Sequence, residues 1–394
     1  MNIPLFQSSD LRAGSRWMNL LRVVAVTGAV VAAVGIFVVP DRAWPNLLLA
    51  AYYLLGIGLA GALFLAIQYV SNAGWSVAIR KVPEAMIATL PVAAIAMLVL
   101  VFGIHNLYEW SHEEVVAVDK LLQAKSWWLN VPGFTVRLVV FVGLWLLLAF
   151  SLVRVSRQRD QNGDLGLLRR AKRNSSIFLV VFALSFTLAS MDWIMSIEPH
   201  WYSTIFGIYS FAGVFQSGLA ALAIFAIMLR RLGPLEGVLS EEHLHDLGKL
   251  IFAFSTFWMY IWFSQYMLIW YSNIPEEAVY LVHRQEGSWA IFTVLNVVFN
   301  WVIPFVVLLP KWTKRNEGVL LKVGIIILIG HWIDLYWMIL PPFMTTGPQL
   351  GIWEIGPIAG ALSAAAYLTF RAFSKSNPVP TNEPMLIESL HYHS

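Results

Sequence analysis

Residues 46–70 read NLLLAAYYLLGIGLAGALFLAIQYV, an unbroken stretch without one charged side chain. About 20 such residues are what an α-helix needs to cross the hydrocarbon core of a bilayer. Nine further runs of this kind lie near 19–39, 86–109, 133–154, 175–197, 203–229, 248–272, 286–309, 317–340 and 351–371. Ten spans leave little of the 394 residues outside the membrane. Backbone polar groups in lipid must be satisfied within the segment, so helices are the expected form. The fold class that follows is an all-α integral membrane protein. Composition agrees: 58% of residues are hydrophobic and 12% charged, against about 25% charged in a soluble domain. This excludes an ordinary soluble enzyme, a disordered chain and a nucleic-acid binder. There is no cysteine, so this chain carries no disulfide, iron–sulfur cluster or thiolate metal site.

The basic residues orient the spans. Only Arg42, Lys120, Lys125, Arg137 and Arg284 fall on the side of the odd-numbered connections; the rest of the 26 Lys+Arg lie on the other. That basic side includes a loop at 153–174, with Arg154, Arg157, Arg159, Arg169, Arg170, Lys172 and Arg173. Both termini are therefore expected in the cytoplasm, with the basic clusters facing anionic lipid headgroups. The acids divide almost evenly, so the outer face is net negative. That fits either simple depletion of positive charge or a docking face for an outer partner. Arg12 and Arg16 precede the first span without a small-residue cleavage site, which predicts a retained signal anchor. The tail at 374–394, with Pro378, Pro380 and Pro384, is expected to be extended. Val115, Val116, Val118, Leu121 and Leu122 in the outer loop 110–132 fall near helical spacing and predict one short interfacial helix.

Tyr52, Gly56 and Gly61 in the second span match Tyr209, Gly213 and Gly218 in the sixth at a constant offset. Asp192-Trp193 near the end of the fifth span parallels Trp332-Ile333-Asp334 in the ninth. Spans 2–5 and 6–9 then read as two related four-helix units running in the same direction. Glycine at such spacing also serves close helix approach on its own.

Ionisable groups at membrane depth are costly and are functional candidates by default. His105 and Glu109 share a face of the third span. Asp192 lies deep in the fifth, on one stripe with Ser185 and Ser196. His331 and Asp334 are three apart in the ninth. Glu198 and His200 occupy the short connection between spans 5 and 6, Glu354 begins the tenth, and Arg137 enters from the outer end of the fourth. All fall in or near the outer third of the bilayer; Glu84, Glu241 and Lys249 sit near the inner interface. Three readings stay open: a structural one, in which Arg137 pairs with Asp192, Asp334 or Glu109; a proton route, since His and desolvated carboxylates exchange protons near neutrality; and a quinone pocket, which needs His with a carboxylate in an apolar cleft. His105 and His331 are the only expected buried histidine pair, too few for transmembrane electron transfer by haems. No phosphate-binding glycine loop, serine elbow or zinc-protease motif is present.

Residues 191–204, MDWIMSIEPHWYST, running into IFGIYSFAG at 205–213, resemble the F subunit of bacterial alternative complex III, a quinol:electron-acceptor oxidoreductase. That subunit belongs to the NrfD/polysulfide-reductase membrane-subunit superfamily. The resemblance implies two four-helix bundles flanked by spans 1 and 10. It implies a sister NrfD-like membrane subunit, an iron–sulfur subunit and c-type cytochrome subunits as partners, which would hold the haem c and iron–sulfur clusters. The quinol site is expected in the sister subunit, so this chain would have no catalytic, cofactor-binding or metal residue of its own. It would support assembly and help conduct protons. The motif carries over Asp192, Glu198 and His200; His105, Glu109, Ser196, His331, Asp334, Glu354 and the charge partner Arg137 rest on depth alone. Rival readings are a direct quinone-binding subunit, a structural anchor and a secondary transporter.

Overall fold

In a computed structural model of the chain, residues 15–380 and 382–392 are described. Arg12 at the start of the expected anchor, Thr381 and the last two tail residues lie outside them. Among the described residues every regular element is helical. The long helices are α1 (Arg16–Val38), α2 (Pro40–Ser71), α3 (Lys81–Leu107, broken by short 3-10 turns), α4 (Val131–Asn162), α5 (Leu165–Trp193), α6 (Phe206–Arg231), α7 (Glu241–Ser272), α8 (Trp289–Leu308), α9 (Glu317–Ile339) and α10 (Ile352–Phe373). The first nine are long and apolar enough to cross a membrane. The tenth spans 22 residues, but Glu354, Pro357 and several small residues make it less apolar than the others. The chain is thus an all-α, multi-pass membrane protein, with nine spans established by length and composition among the described residues.

The helices pack as two bundles with the same pattern of neighbours. In one, α2 packs on α3 and α5, and α4 on α3 and α5. In the other, α6 packs on α7 and α9, and α8 on α7 and α9. The bundles meet along α2 and α6, which are buried over 94% and 89% of their most apolar stretches, against 17% for α1. Small residues allow that contact. A Cβ on Gly218 would stand 1.9 Å from the Cβ of Ala60, and one on Gly56 would meet Val214 at 3.2 Å. Helix association in lipid relies on such backbone approach because apolar burial itself gains little there. On the outside, α10 lies along α1 and against α2 and the start of α3. Here glycines cross directly, with a Cβ on Gly28 reaching Gly360 Cα at 2.5 Å.

Three expectations are corrected. The arginine-rich loop at 153–174 is mostly helix: α4 runs on to Asn162 and α5 begins at Leu165, joined by a tight turn with Gly163 at φ 63°. The tail is not simply extended. It folds back over the basic side of this chain and forms the short helix Leu386–Leu390. Glu383 pairs there with Arg80 and Arg159, and Ser389 Oγ donates to the carbonyl of Trp75 at 2.7 Å. The single interfacial helix is two, Glu113–Val118 and Lys120–Lys125, separated at Asp119. Asp119 breaks the run because its carboxylate caps the second helix, accepting from the amides of Leu121 at 2.8 Å and Leu122 at 3.1 Å.

One irregularity has a direct cause in sequence. Helix α8 contains a π turn over Val298–Val302. Pro304 has no N–H to give the carbonyl of Asn300 four residues before it. The amide of Gln216 on α6 takes that acceptor instead, at 2.6 Å.

Candidate functional site

The side chains singled out in the sequence sort into separate clusters rather than one string. The deepest is in the second bundle. Asp334 on α9 is 1% exposed. It accepts from the hydroxyl of Tyr209 on α6, from the indole of Trp258 on α7 at 3.2 Å and from the amide of Asn296 on α8 at 2.8 Å. Each of the other three helices of the bundle thus supplies one side chain to a single carboxyl group. His331, one turn earlier, places Nδ1 4.0 Å from Asp334 Oδ2, and among the described residues neither of its ring nitrogens has a hydrogen-bond partner. Its ring lies against Tyr53 and over Gly213, where a Cβ would approach both His331 and Asp334 at 3.2 Å. Gly213, the first of the two repeat glycines in α6, therefore makes room for this pair. Asn300, displaced by the π turn, continues the polar line by donating to Asn296 Oδ1 at 2.7 Å.

The other buried acids have cationic partners. Asp192 accepts from Arg137 Nε at 2.5 Å and from the indole of Trp128 at 2.7 Å. Arg137 also lies 4.2 Å from the centre of the Trp128 ring. Of the three partners open to Arg137, the structure selects Asp192. Ser196 Oγ donates to the backbone carbonyl of Asp192 at 2.5 Å, whereas Ser185 is taken by the indole of Trp145 at 2.8 Å. Glu354, buried at the start of α10, holds Arg42 through two guanidinium nitrogens at 2.8 and 3.0 Å. Glu198 meets Arg284 at 2.5 Å and lies 3.6 Å from His283.

Two histidines stand apart. His105 is exposed, which corrects its expected place in the apolar interior. The last turn of α3 ends two residues later, and its ring bonds Ser111 at 3.0 Å. His200 is exposed and pairs with Asp119 at 2.6 Å. The amide bonds from Leu122 and Leu121, with the neighbouring His200, hold the Asp119 carboxyl below the usual carboxylate range. Glu109 is exposed as well.

Sequence reasoning missed Arg284. It sits in the helix Pro275–Gln285, has no solvent exposure, stacks at 3.5 Å on Tyr280 and donates to the carbonyls of Tyr280, Trp337 and Met338. Its rarity on the basic-poor side was the available signal. Also missed was Lys81 at the basic side, buried with Glu84 at 2.9 Å, Ser156 at 3.3 Å and Asp160. In the sequence it is one of many basic residues on that side and carries no signal of its own.

Above Glu198 opens a cavity of about 830 Å³ on the acidic side, walled by the helix 275–285, the α5–α6 connection and the turn after α9. A smaller cavity of about 270 Å³ reaches Asp192 between Trp128 and Trp201. Among the described residues no three His, Asp or Glu side chains converge as a metal site. No family model and no curated protein matches the chain.

Proposed function

We propose that the chain is a cofactor-free membrane subunit of a quinol:electron-acceptor oxidoreductase of the alternative complex III type, set in a bacterial inner membrane with both termini cytoplasmic. Its partners would be a sister NrfD-like subunit, an iron–sulfur subunit and c-type cytochromes. Support comes from the motif at 191–213, the paired four-helix bundles and the excess of acidic over basic residues on the side of the odd-numbered connections. Its own task in the assembly is to hold and pass protons at Asp334.

One observation carries the proton role. Among the described residues, Asp334 is the buried outer-half acid without an arginine or lysine partner. Its direct partners are a phenol, an indole and an amide, all neutral, with an unpartnered imidazole 4.0 Å away. An uncompensated charge at that depth is expensive, so a proton on the carboxyl or the imidazole is the economical state. Asp192, Glu198 and Glu354, each held by an arginine, would shape the entrance rather than carry the proton.

Replacing Asp334 with Asn in the intact assembly tests this. Proton translocation should fall while electron transfer is largely kept. Equal loss of both, or loss of neither, overturns the proton role. Mass spectrometry of the purified assembly tests the complex itself: haem-bearing and iron–sulfur subunits should co-purify. The pairing of Asp192, Glu198 and Glu354 with arginines favours one second reading, a structural anchor, under which Asp334→Asn leaves both fluxes unchanged.

A further inference from the structure

The tail that folds over the basic side ends against the second bundle. Ser389, fully buried in the helix Leu386–Leu390, accepts from the amide of Ala78 at 3.0 Å and donates to the carbonyl of Trp75 at 2.7 Å. Its hydroxyl also stands 3.4 Å from Nε2 of His243, the third residue of α7. His243 has no solvent exposure, and the ring of Tyr392 lies 6.3 Å from its own. One histidine thus touches the last segment of the chain where that segment passes from the first bundle to the second.

The other edge of the ring fixes its charge state. His243 Nδ1 takes the amide N–H of Ser240 at 3.1 Å, while Ser240 Oγ accepts the amide of His243 at 3.4 Å, a reciprocal cap at the start of α7. The Ser240 hydroxyl, 2.7 Å from the same nitrogen, can donate or accept, but a backbone N–H can only donate. Nδ1 is therefore the bare nitrogen, and the proton of a neutral imidazole sits on Nε2, toward Ser389. An imidazolium would set Nδ1–H against the Ser240 N–H and enclose a charge. The acids near it lie on its own helix and are engaged, Asp246 with Lys249 and Glu242 with Arg315. The α2–α3 connection presents the Trp75 carbonyl to it, and the tail presents Ser389 and Tyr392, while Glu388 turns to Gly74. The tail covers this ring, so a charged ring gains water by displacing the tail.

We propose that His243 is a proton-operated latch for the tail: the neutral imidazole holds the segment 385–392 across the two bundles, and protonation releases it. Closure is then complete well above the ordinary imidazole value of about 6.5 and is lost on acidification. Release has a defined consequence. The same strap pairs Glu383 with Arg80 and Arg159, and its Asn382 donates to the backbone carbonyl of Asp160 at 2.6 Å, beside the buried Lys81–Asp160 pair. Opening the latch therefore admits water to the charged cluster at the basic end of the first bundle.

The test uses the full chain in phosphatidylcholine nanodiscs. Amide hydrogen exchange over 385–392 is followed from about pH 8 to about pH 5, a range that brackets the imidazole, and is expressed as protection relative to the unstructured chain at the same pH. Protection should fall in acid by about tenfold per pH unit, the slope of one proton, while the middle of α7 stays protected. His243→Gln should hold the strap at every pH, because glutamine takes the Ser240 amide on its oxygen, as capping boxes do, and offers an N–H toward Ser389. A flat response in the unaltered chain, or the same acid response in the glutamine variant, overturns the proposal. Exchange of the ring C2 hydrogen of His243, read by mass spectrometry, titrates this imidazole directly and needs no variant. Its midpoint should coincide with the loss of strap protection, and a clear separation of the two overturns the proposal as well. Neither readout involves proton or electron flux, so failure here and failure of the oxidoreductase reading can be told apart.

Discussion

Arg284 meets the carboxylate of Glu198 at 2.5 Å from a side chain with no solvent exposure. The contact joins the connection between the two bundles to the helix 275–285, and the same guanidinium closes three backbone carbonyls at the end of α9 and on its own helix. An arginine so enclosed is tolerated because each of its three nitrogens finds an acceptor.

Removing one member of that pair should be costly. Glu198→Gln leaves the Arg284 charge enclosed without its counter-ion, and loss of about 3–5 kcal/mol is the expected scale. Thermal unfolding of the purified chain should show a clear downward shift. Arg284→Met combined with Glu198→Gln should recover part of it, and a double variant worse than the sum of the singles would contradict the assignment.

Asp192→Asn should act mainly on stability. Arg137 would keep its stack on Trp128 but lose its carboxylate. We expect reduced stability of the purified chain, with proton and electron fluxes falling together through lower assembly. A selective loss of proton flux here, with none for Asp334→Asn, would move the proton site to the first bundle.

The Asp119 cap predicts a pH dependence outside the membrane. Its carboxyl is held below the ordinary value by the Leu122 and Leu121 amides and His200. A depressed folded-state pKa means the stabilisation is complete above the ordinary carboxylate value and is lost as pH falls through the lowered one. Hydrogen exchange at 120–125 should therefore stay slow at neutral pH and quicken only in acid. Asp119→Ala should show the fast exchange at every pH.

Packing between the bundles is tested at Gly218. A side chain there meets Ala60 at 1.9 Å, and overpacking of this kind typically costs about 1–3 kcal/mol. Gly218→Val should lower stability, and pairing it with Ala60→Gly should restore much of the loss.

Glu383→Gln should loosen the tail. Arg80 and Arg159 would both lose their carboxylate. Trypsin cleavage at the exposed Lys375 should accelerate, and an unchanged rate would mean that Ser389 and its neighbours hold the strap alone.

The long helices were legible because hydropathy responds to the bilayer directly, and the run at 46–70 carried that signal without interruption. The extension of α4 past residue 154 was not legible: Arg157 and Arg159 end the apolar run, yet helix propensity and the Gly163 turn carry the backbone on. The burial of Asp192 and Asp334 was readable from spacing, but their contrasting partners were not. Arg137 could reach several acids by sequence alone, and Trp258, Asn296 and Tyr209 converge on Asp334 only once α6 to α9 have packed. Arg284 was hidden for a related reason. A helix outside the spans normally leaves an arginine in water, and only the fold over Trp337 and Tyr280 encloses it.

Ribosomes deliver this chain from its first span to its last, and several of its partners are far apart in that order. Glu383 is separated from Arg80 by 303 positions, and α1 waits for α10 as its principal neighbour. During biogenesis the leading bundle must thus persist with two naked arginines and an unfilled flank. Without the segment around Glu383, Arg80 and Arg159 would lose the carboxylate that pairs with both.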